Sequence, residues 1–111
     1  MMIYEVTTTA QADSDLRGIY EYIAFEMLSP ENAAGQLGRL EENIIGLETF
    51  PEKYRAYEKE PWKSRGLRVM PVDNYLVFYI PDSDAQTVIV IRVMYEGRDV
   101  DNQIKNHTNM Y

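Results

Sequence analysis

Three arginines in or beside apolar, strand-like runs hold most of the chemical potential of this chain: Arg68, Arg92 and Arg98. A guanidinium is a permanent cation with a rigid fork of donors, suited to carboxylates and phosphates. Arg68 stands in Gly66-Leu67-Arg68-Val69-Met70, and Arg98 follows Gly97 just beyond an apolar run, where loop positions often carry function. Arg92 lies inside Thr87-Val88-Ile89-Val90-Ile91-Arg92-Val93-Met94-Tyr95. A charge there needs a partner, so it reads first as a strand arginine paired with an acid. Tyr95 closes that run; a phenol with a pKa near 10 is a poor general base unless neighbouring cations lower it. Trp62 with Lys63 and Arg65 could hold a nucleic-acid base or a partner helix, but a loop anchor tucked over a sheet is the simpler reading. His107, in the tail, suggests no role.

These side chains are positioned by three β-branched and aromatic runs, within residues 66–95, separated by Pro71-Val72-Asp73-Asn74 and Pro81-Asp82-Ser83-Asp84. Short connections predict an antiparallel meander, and the last two runs are apolar on both faces, so both faces should be covered. Strict alternation would group Arg92 with Val88, Val90 and Met94 and turn Tyr95 to the other face, unless a bulge intervenes. Upstream, Met2 to Thr8 is β-prone, and Thr8 or Thr9 can cap the helix that follows. From Ala10 to about Met27, Leu16, Ile19, Tyr20, Ile23, Ala24 and Met27 fall on one helical face. Ser29-Pro30-Glu31 restarts a second helix, with Ala33, Ala34, Leu37, Leu40, Ile44 and Leu47 as its stripe. The two form a hairpin whose stripes bury one sheet face. Pro51 ends the second helix; residues 52–65 read as a long loop holding Tyr54, Tyr57 and Trp62. Val100 to Lys105 has the spacing of a short helix, and Asn106 to Tyr111 reads as a frayed tail. The predicted fold is α+β, in the order β-α-α-β-β-β-(short α): a helical hairpin on a four-stranded antiparallel sheet that the first strand must join.

The 111 residues are expected to form a single domain, 1–111. No cysteine is present, so neither a disulfide framework nor Cys-ligated zinc is expected. No apolar run reaches the roughly 20 residues of a membrane span. Met1-Met2-Ile3-Tyr4-Glu5 lacks the basic start and apolar core of a signal peptide, so a cytoplasmic location is expected. The net charge of −7 is unevenly spread. Residues 1–50 hold nine acids and two bases, whereas residues 51–111 hold nine of each. Six of those bases lie between Lys53 and Arg68, which predicts an acidic helical side and a sheet side with local positive potential.

With that order in view, the chain resembles the RelE/ParE superfamily, the toxins of type II toxin–antitoxin pairs. The resemblance rests on Leu47-Glu48-Thr49-Phe50-Pro51, Gly66-Leu67-Arg68, Asn74-Tyr75-Leu76-Val77-Phe78-Tyr79 and Ile91-Arg92-Val93-Met94-Tyr95-Glu96-Gly97-Arg98-Asp99. It implies a toxin domain of the same fold, neutralised by a cognate antitoxin, with no metal, cofactor or membrane partner. RelE-like members cut ribosome-bound mRNA without a metal, using cations beside a tyrosine or histidine; ParE-like members inhibit DNA gyrase. If the chain is a nuclease, the resemblance assigns the catalytic work to Arg68, Tyr95 and Arg98. If it acts by binding, it assigns the target and antitoxin surface to Trp62, Arg65, Arg68, Arg92 and Arg98. Leu76 stands where the RelE branch carries an arginine, and Leu67 and Val69 bracket Arg68 where that branch carries a lysine pair. Much of the cationic equipment for phosphate chemistry is therefore replaced, which places the likeness closer to the ParE branch. A degenerate member kept as a binding module is the remaining alternative.

Overall fold

The computed structural model describes residues 3–110 and has the α+β architecture expected. Strand β1 (Glu5–Thr8) enters a hairpin of α1 (Ala10–Glu21) and α2 (Pro30–Ile45). There follow β2 (Arg55–Ala56), β3 (Arg68–Val72), β4 (Tyr75–Asp82), β5 (Thr87–Tyr95) and α3 (Val100–Asn106). The first strand starts later than its sequence suggests, and Met2, assigned to it above, lies outside the described residues.

Local signals set the hairpin. Thr9 caps α1, its hydroxyl oxygen accepting from the Ala12 N–H at 3.1 Å. Pro30 opens α2 at the position where its missing N–H costs nothing. The apolar spacing carried the first helix to Met27, but α1 ends at Glu21. Tyr22 to Glu26 form a wider π-helical turn, with the Met27 N–H donating to the Tyr22 carbonyl at 3.1 Å. Leu28 then takes a left-handed backbone at φ 52°.

The sheet corrects the expectation of four antiparallel strands. It has five strands in the order β1-β5-β4-β3-β2, and β1 runs parallel to β5. The link between β1 and β5 is most of the chain, not a tight turn, so nothing local sets its direction. The extra strand, β2, comes from the segment read as loop: Arg55 pairs with Val69 and Ala56 with Arg68.

Two cores sandwich this sheet. On the inner face, Leu40, Ile44 and Leu47 from the hairpin and its end meet Met70, Tyr79 and Val90. On the outer face, Tyr57, Trp62 and Ile104 cover Leu67, Phe78 and Ile91. Truncating a fully buried leucine such as Leu40 would cost about 2–5 kcal/mol. The register slips between Phe78, opposite Arg92, and Tyr79, opposite Val90, so Ile91 is the extra residue of a bulge. This bulge breaks the alternation expected for β5. Val88 and Val90 stay in the inner core, while Arg92 pairs with Phe78 of the outer core and Met94 joins that core.

The tail is not frayed over its described length. The Gln11 side chain donates to the His107 carbonyl and accepts from the Asn109 N–H at 2.7 Å. Tyr111, placed in that tail above, lies outside the described residues.

Candidate functional site

Beyond Tyr95 the chain turns through Glu96 and Gly97 to Arg98, whose backbone N–H donates to the Tyr95 carbonyl at 3.1 Å. A Cβ at Gly97 would run into the Tyr95 ring, so glycine here lets the ring fold back over the turn. Arg98 thereby stands where two grooves meet. The larger, about 850 Å³, runs between the helical hairpin and the ends of β4 and β5, with Tyr22, Met27, Arg39, Tyr75 and Tyr95 among its walls. The smaller, about 440 Å³, lies on the outer sheet face over Val69, Leu76 and Phe78, with Arg55 and Tyr57 at its sides. Arg98 lines both, and among the described residues no hydrogen bond or ion pair engages its side chain.

The sequence-derived residues are not brought together. Tyr95 and Arg98 share the larger groove. The Tyr95 ring is 52% exposed and meets Tyr75 edge-on, centroids 5.9 Å apart. Burial, then proximity to Tyr95 and Tyr22, raises the Tyr75 pKa. Arg68 lines neither groove. It pairs across the sheet with the inner-core Tyr79, and its Nη1 donates to the carbonyls of Tyr54 at 2.6 Å and Glu52 at 3.0 Å. A guanidinium holding two backbone carbonyls braces the turn after α2; a phosphate would have to compete with both acceptors.

Arg92 and Trp62 were expected on a contact surface, and the structure buries both. Arg92 is 4% exposed. Its Nε and Nη2 meet the two Asp15 carboxylate oxygens at 2.7 and 3.0 Å, and its Nη1 donates to the His107 carbonyl at 2.9 Å. Asp15 also accepts from the Val93 N–H at 2.9 Å. β1 ends opposite Val90, so the β5 edge beyond it would be unpaired; Asp15 from α1 completes it. The bulge is what aims Arg92 at this acid. Trp62 is 2% exposed and donates from its indole nitrogen to the Ile104 carbonyl at 3.0 Å, pinning the loop to α3. Arg65 remains on the surface, its guanidinium 5.3 Å from the Trp62 ring centre.

Residues missed from the sequence surround the smaller groove. Arg55 reaches it because β2 pairs it with Val69, and a two-residue strand has no periodicity to read. Tyr57 donates to Asp101 at 2.8 Å, and Lys59 pairs with the same carboxylate. Burial, then the Asp101 bond, pushes the Tyr57 phenol well above its ordinary range. Lys59 first, then Tyr57, holds the Asp101 carboxyl below its own. Three bases (Arg55, Lys59, Arg98) and four acids (Glu58, Glu96, Asp99, Asp101) line this groove, so it offers no net positive field. Among the described residues, no three His, Cys, Asp or Glu side chains gather as a metal-ligand set. No helix among them is long and apolar enough to cross a membrane.

No curated protein matches the chain. Several solved structures share its fold. A chain of the chromosomal ParDE toxin–antitoxin system from P. aeruginosa superposes with a TM-score of 0.70 at 16% identity, covering 86% of this chain and 98% of that one. The toxin–antitoxin complex RelBE2 from Mycobacterium tuberculosis gives 0.62 at 21% identity, covering 88% and 97%. The archaeal RelE–RelB complex from Pyrococcus horikoshii OT3 gives 0.58 at 19% identity, covering 87% and 99%. At such identities these likenesses establish the shared fold. A family model described as the ParE toxin of the type II toxin–antitoxin system, parDE, matches residues 6–100, from within β1 to the start of α3. That span is most of the chain, and the chain belongs to the family of ParE toxins of type II toxin–antitoxin systems.

Proposed function

We propose that this toxin arrests growth by binding DNA gyrase and that a cognate antitoxin neutralises it by covering the surface around Arg98. The observation that supports binding over RNA cleavage is the charge inventory of the smaller groove. Its acids outnumber its bases, and Arg68 is held elsewhere by two backbone carbonyls. Phosphodiester cleavage needs cations converging on a developing dianion. A protein surface needs only a rigid anchor and a few unpaired charges. Arg98, which lines both grooves with no ion pair among the described residues, and the exposed Arg65 are two of the cations free to meet a partner. The solved relatives, ParDE, RelBE2 and RelE–RelB, are toxin–antitoxin assemblies, which supports an antitoxin partner here.

The test is to induce the chain alone in bacteria, then assay supercoiling by purified gyrase and map mRNA ends at the ribosomal A site. The binding reading expects arrest with loss of supercoiling and intact mRNA. Arrest with cut mRNA and active gyrase would replace it with a ribosome-dependent endoribonuclease. One observation favours that alternative: Arg55, Lys59 and Arg98 all line the smaller groove. Tyr95→Phe separates the two, since loss of the phenol should matter only to a nuclease.

A further inference from the structure

Asp73 does not line the larger groove, yet its side chain holds two residues that do. Its Oδ2 accepts from Gln36 Nε2 and from Arg39 Nε, each at 2.9 Å. Gln36 Oε1 accepts in turn from Arg39 Nη2 at 3.4 Å. Gln36 and Arg39 stand on α2, whereas Asp73 opens the two-residue turn from β3 to β4. The other turn residue, Asn74, lines the groove too, and its carbonyl accepts from the Glu96 N–H at 2.9 Å. Glu96 lies two residues before Arg98. The turn is thus fastened on both sides: to α2 through one carboxylate oxygen, and to the chain leading into Arg98 through one backbone carbonyl.

Neither the turn nor stability accounts for an acid at this position. Asp73 has φ 54°, a conformation that glycine or asparagine would take as readily. The side chains of Arg39 and Asp73 are 55% and 43% exposed, and an ion pair so open to water contributes little to stability. What the clasp fixes is the span between α2 and Arg98, two sides of the groove. The groove's charged residues are Asp15, Arg39 and Arg98. Asp15 is paired with Arg92 and Arg39 with Asp73, while Arg98 has no ion-pair partner among the described residues. One open cation beside Ile19, Met27 and Met94 calls for a segment that carries apolar side chains and a carboxylate. We propose that Asp73 is a positioning residue for partner binding: by clasping α2 it presets the larger groove, and the place of Arg98 in it, for such a segment of the antitoxin. The proposal rests on the antitoxin reading above. Two side chains and a turn already in place need not be ordered when the partner arrives, which lowers the cost of binding.

The experiment measures the dissociation constant of the full-length chain for the antitoxin encoded by the adjacent gene, with the thermal midpoint alongside. The variants are Asp73→Gly, Asp73→Asn, Arg98→Ala and Asp73→Gly with Arg98→Ala. Asp73→Gly removes the clasp while suiting the left-handed backbone. Asp73→Asn keeps one oxygen that can accept from both Gln36 and Arg39. The expected result is a loss of about tenfold in affinity for Asp73→Gly, with an unchanged or raised midpoint. Asp73→Asn should recover much of that loss. Because Asp73 acts through the placing of Arg98, the loss in the double variant should fall short of the product of the two single losses. Wild-type affinity in Asp73→Gly would overturn the proposal. So would losses that multiply in the double variant, Asp73→Asn binding no better than Asp73→Gly, or a midpoint that falls in step with affinity. If the wild-type chain captures no antitoxin, the antitoxin reading falls first and the role of Asp73 with it.

Discussion

Arg92 and Arg98 lie one strand end apart and meet opposite fates. Arg92 is buried in a knot that joins α1, β5 and the tail through Asp15 and the His107 carbonyl. Arg98 stands at the junction of two grooves with its guanidinium unengaged among the described residues. The difference is made by strand pairing. Arg92 sits where the β5 edge loses its β1 partner and a bulge turns it toward an acid; Arg98 sits past the last paired residue, on a glycine turn. A charge within a strand therefore reports how the sheet closes, and a charge just beyond its end reports what the surface offers.

Substitutions sharpen this contrast. Arg92→Ala leaves Asp15 buried without its cation and should cost about 3–5 kcal/mol, read by urea denaturation. Such a loss would lower the thermal midpoint by more than ten degrees, taking roughly 4 °C per kcal/mol in a chain of this size. A cost within the range of surface substitutions would dissolve the distinction between the two arginines. Arg68→Ala should fall between them, at about 1–2 kcal/mol, because two backbone carbonyls lose a charged donor but stay near water.

Tyr57 and Asp101 test the other strap, the one holding α3. Tyr57→Phe should cost about 1 kcal/mol through the lost bond to Asp101. The same phenol makes stability depend on alkaline pH. Its folded pKa is raised, so its contribution is whole below the unfolded value near 10 and is lost as pH rises beyond it. Denaturation midpoints should decline from about pH 10 upward, and less steeply in Tyr57→Phe. The smallest stability effect belongs to Arg98→Ala, within about 0.5 kcal/mol, while the proposed growth arrest should be relieved by it. A variant that unfolds would place Arg98 in the scaffold and erase the comparison.

Much of the scaffold was legible in residue spacing. The helical stripes at Leu40 and Ile44, the Ser29-Pro30 restart and the turn at Asp73-Asn74 all act through neighbours in sequence, whereas Pro81 and Asp82, read as the second turn, extend β4 opposite Val88 and Thr87, and the chain turns over residues 83–86. What escaped depends on partners far along the chain. The parallel direction of β1, the two-residue pairing of Arg55 with Val69 and the bulge at Ile91 are decided by which backbone edges remain unpaired. The π-helical turn escaped because Ile23, Ala24 and Met27 keep an acceptable helical spacing while the coil widens beneath them. At the site, Arg92 as an acid-paired strand residue and Trp62 as a loop anchor were readable from the chemistry of burial. Arg55 was not, since its role exists only once β2 lies beside β3. The tail was misread because its partners are a backbone carbonyl and a glutamine, and neither is distinctive in a sequence.

The seam between β1 and β5 pairs Glu5 with Thr87 and Thr8 with Val90. Antiparallel hairpins can zip as soon as their two arms exist, but this seam has to wait until the chain through Val90 has left the ribosome. Until then Thr9 has no Val90 carbonyl to hold, and Asp15 has no Arg92. A copy cut short before β5 thus carries the hairpin without the platform that mounts it, with β1 unpaired and Asp15 lacking its cation.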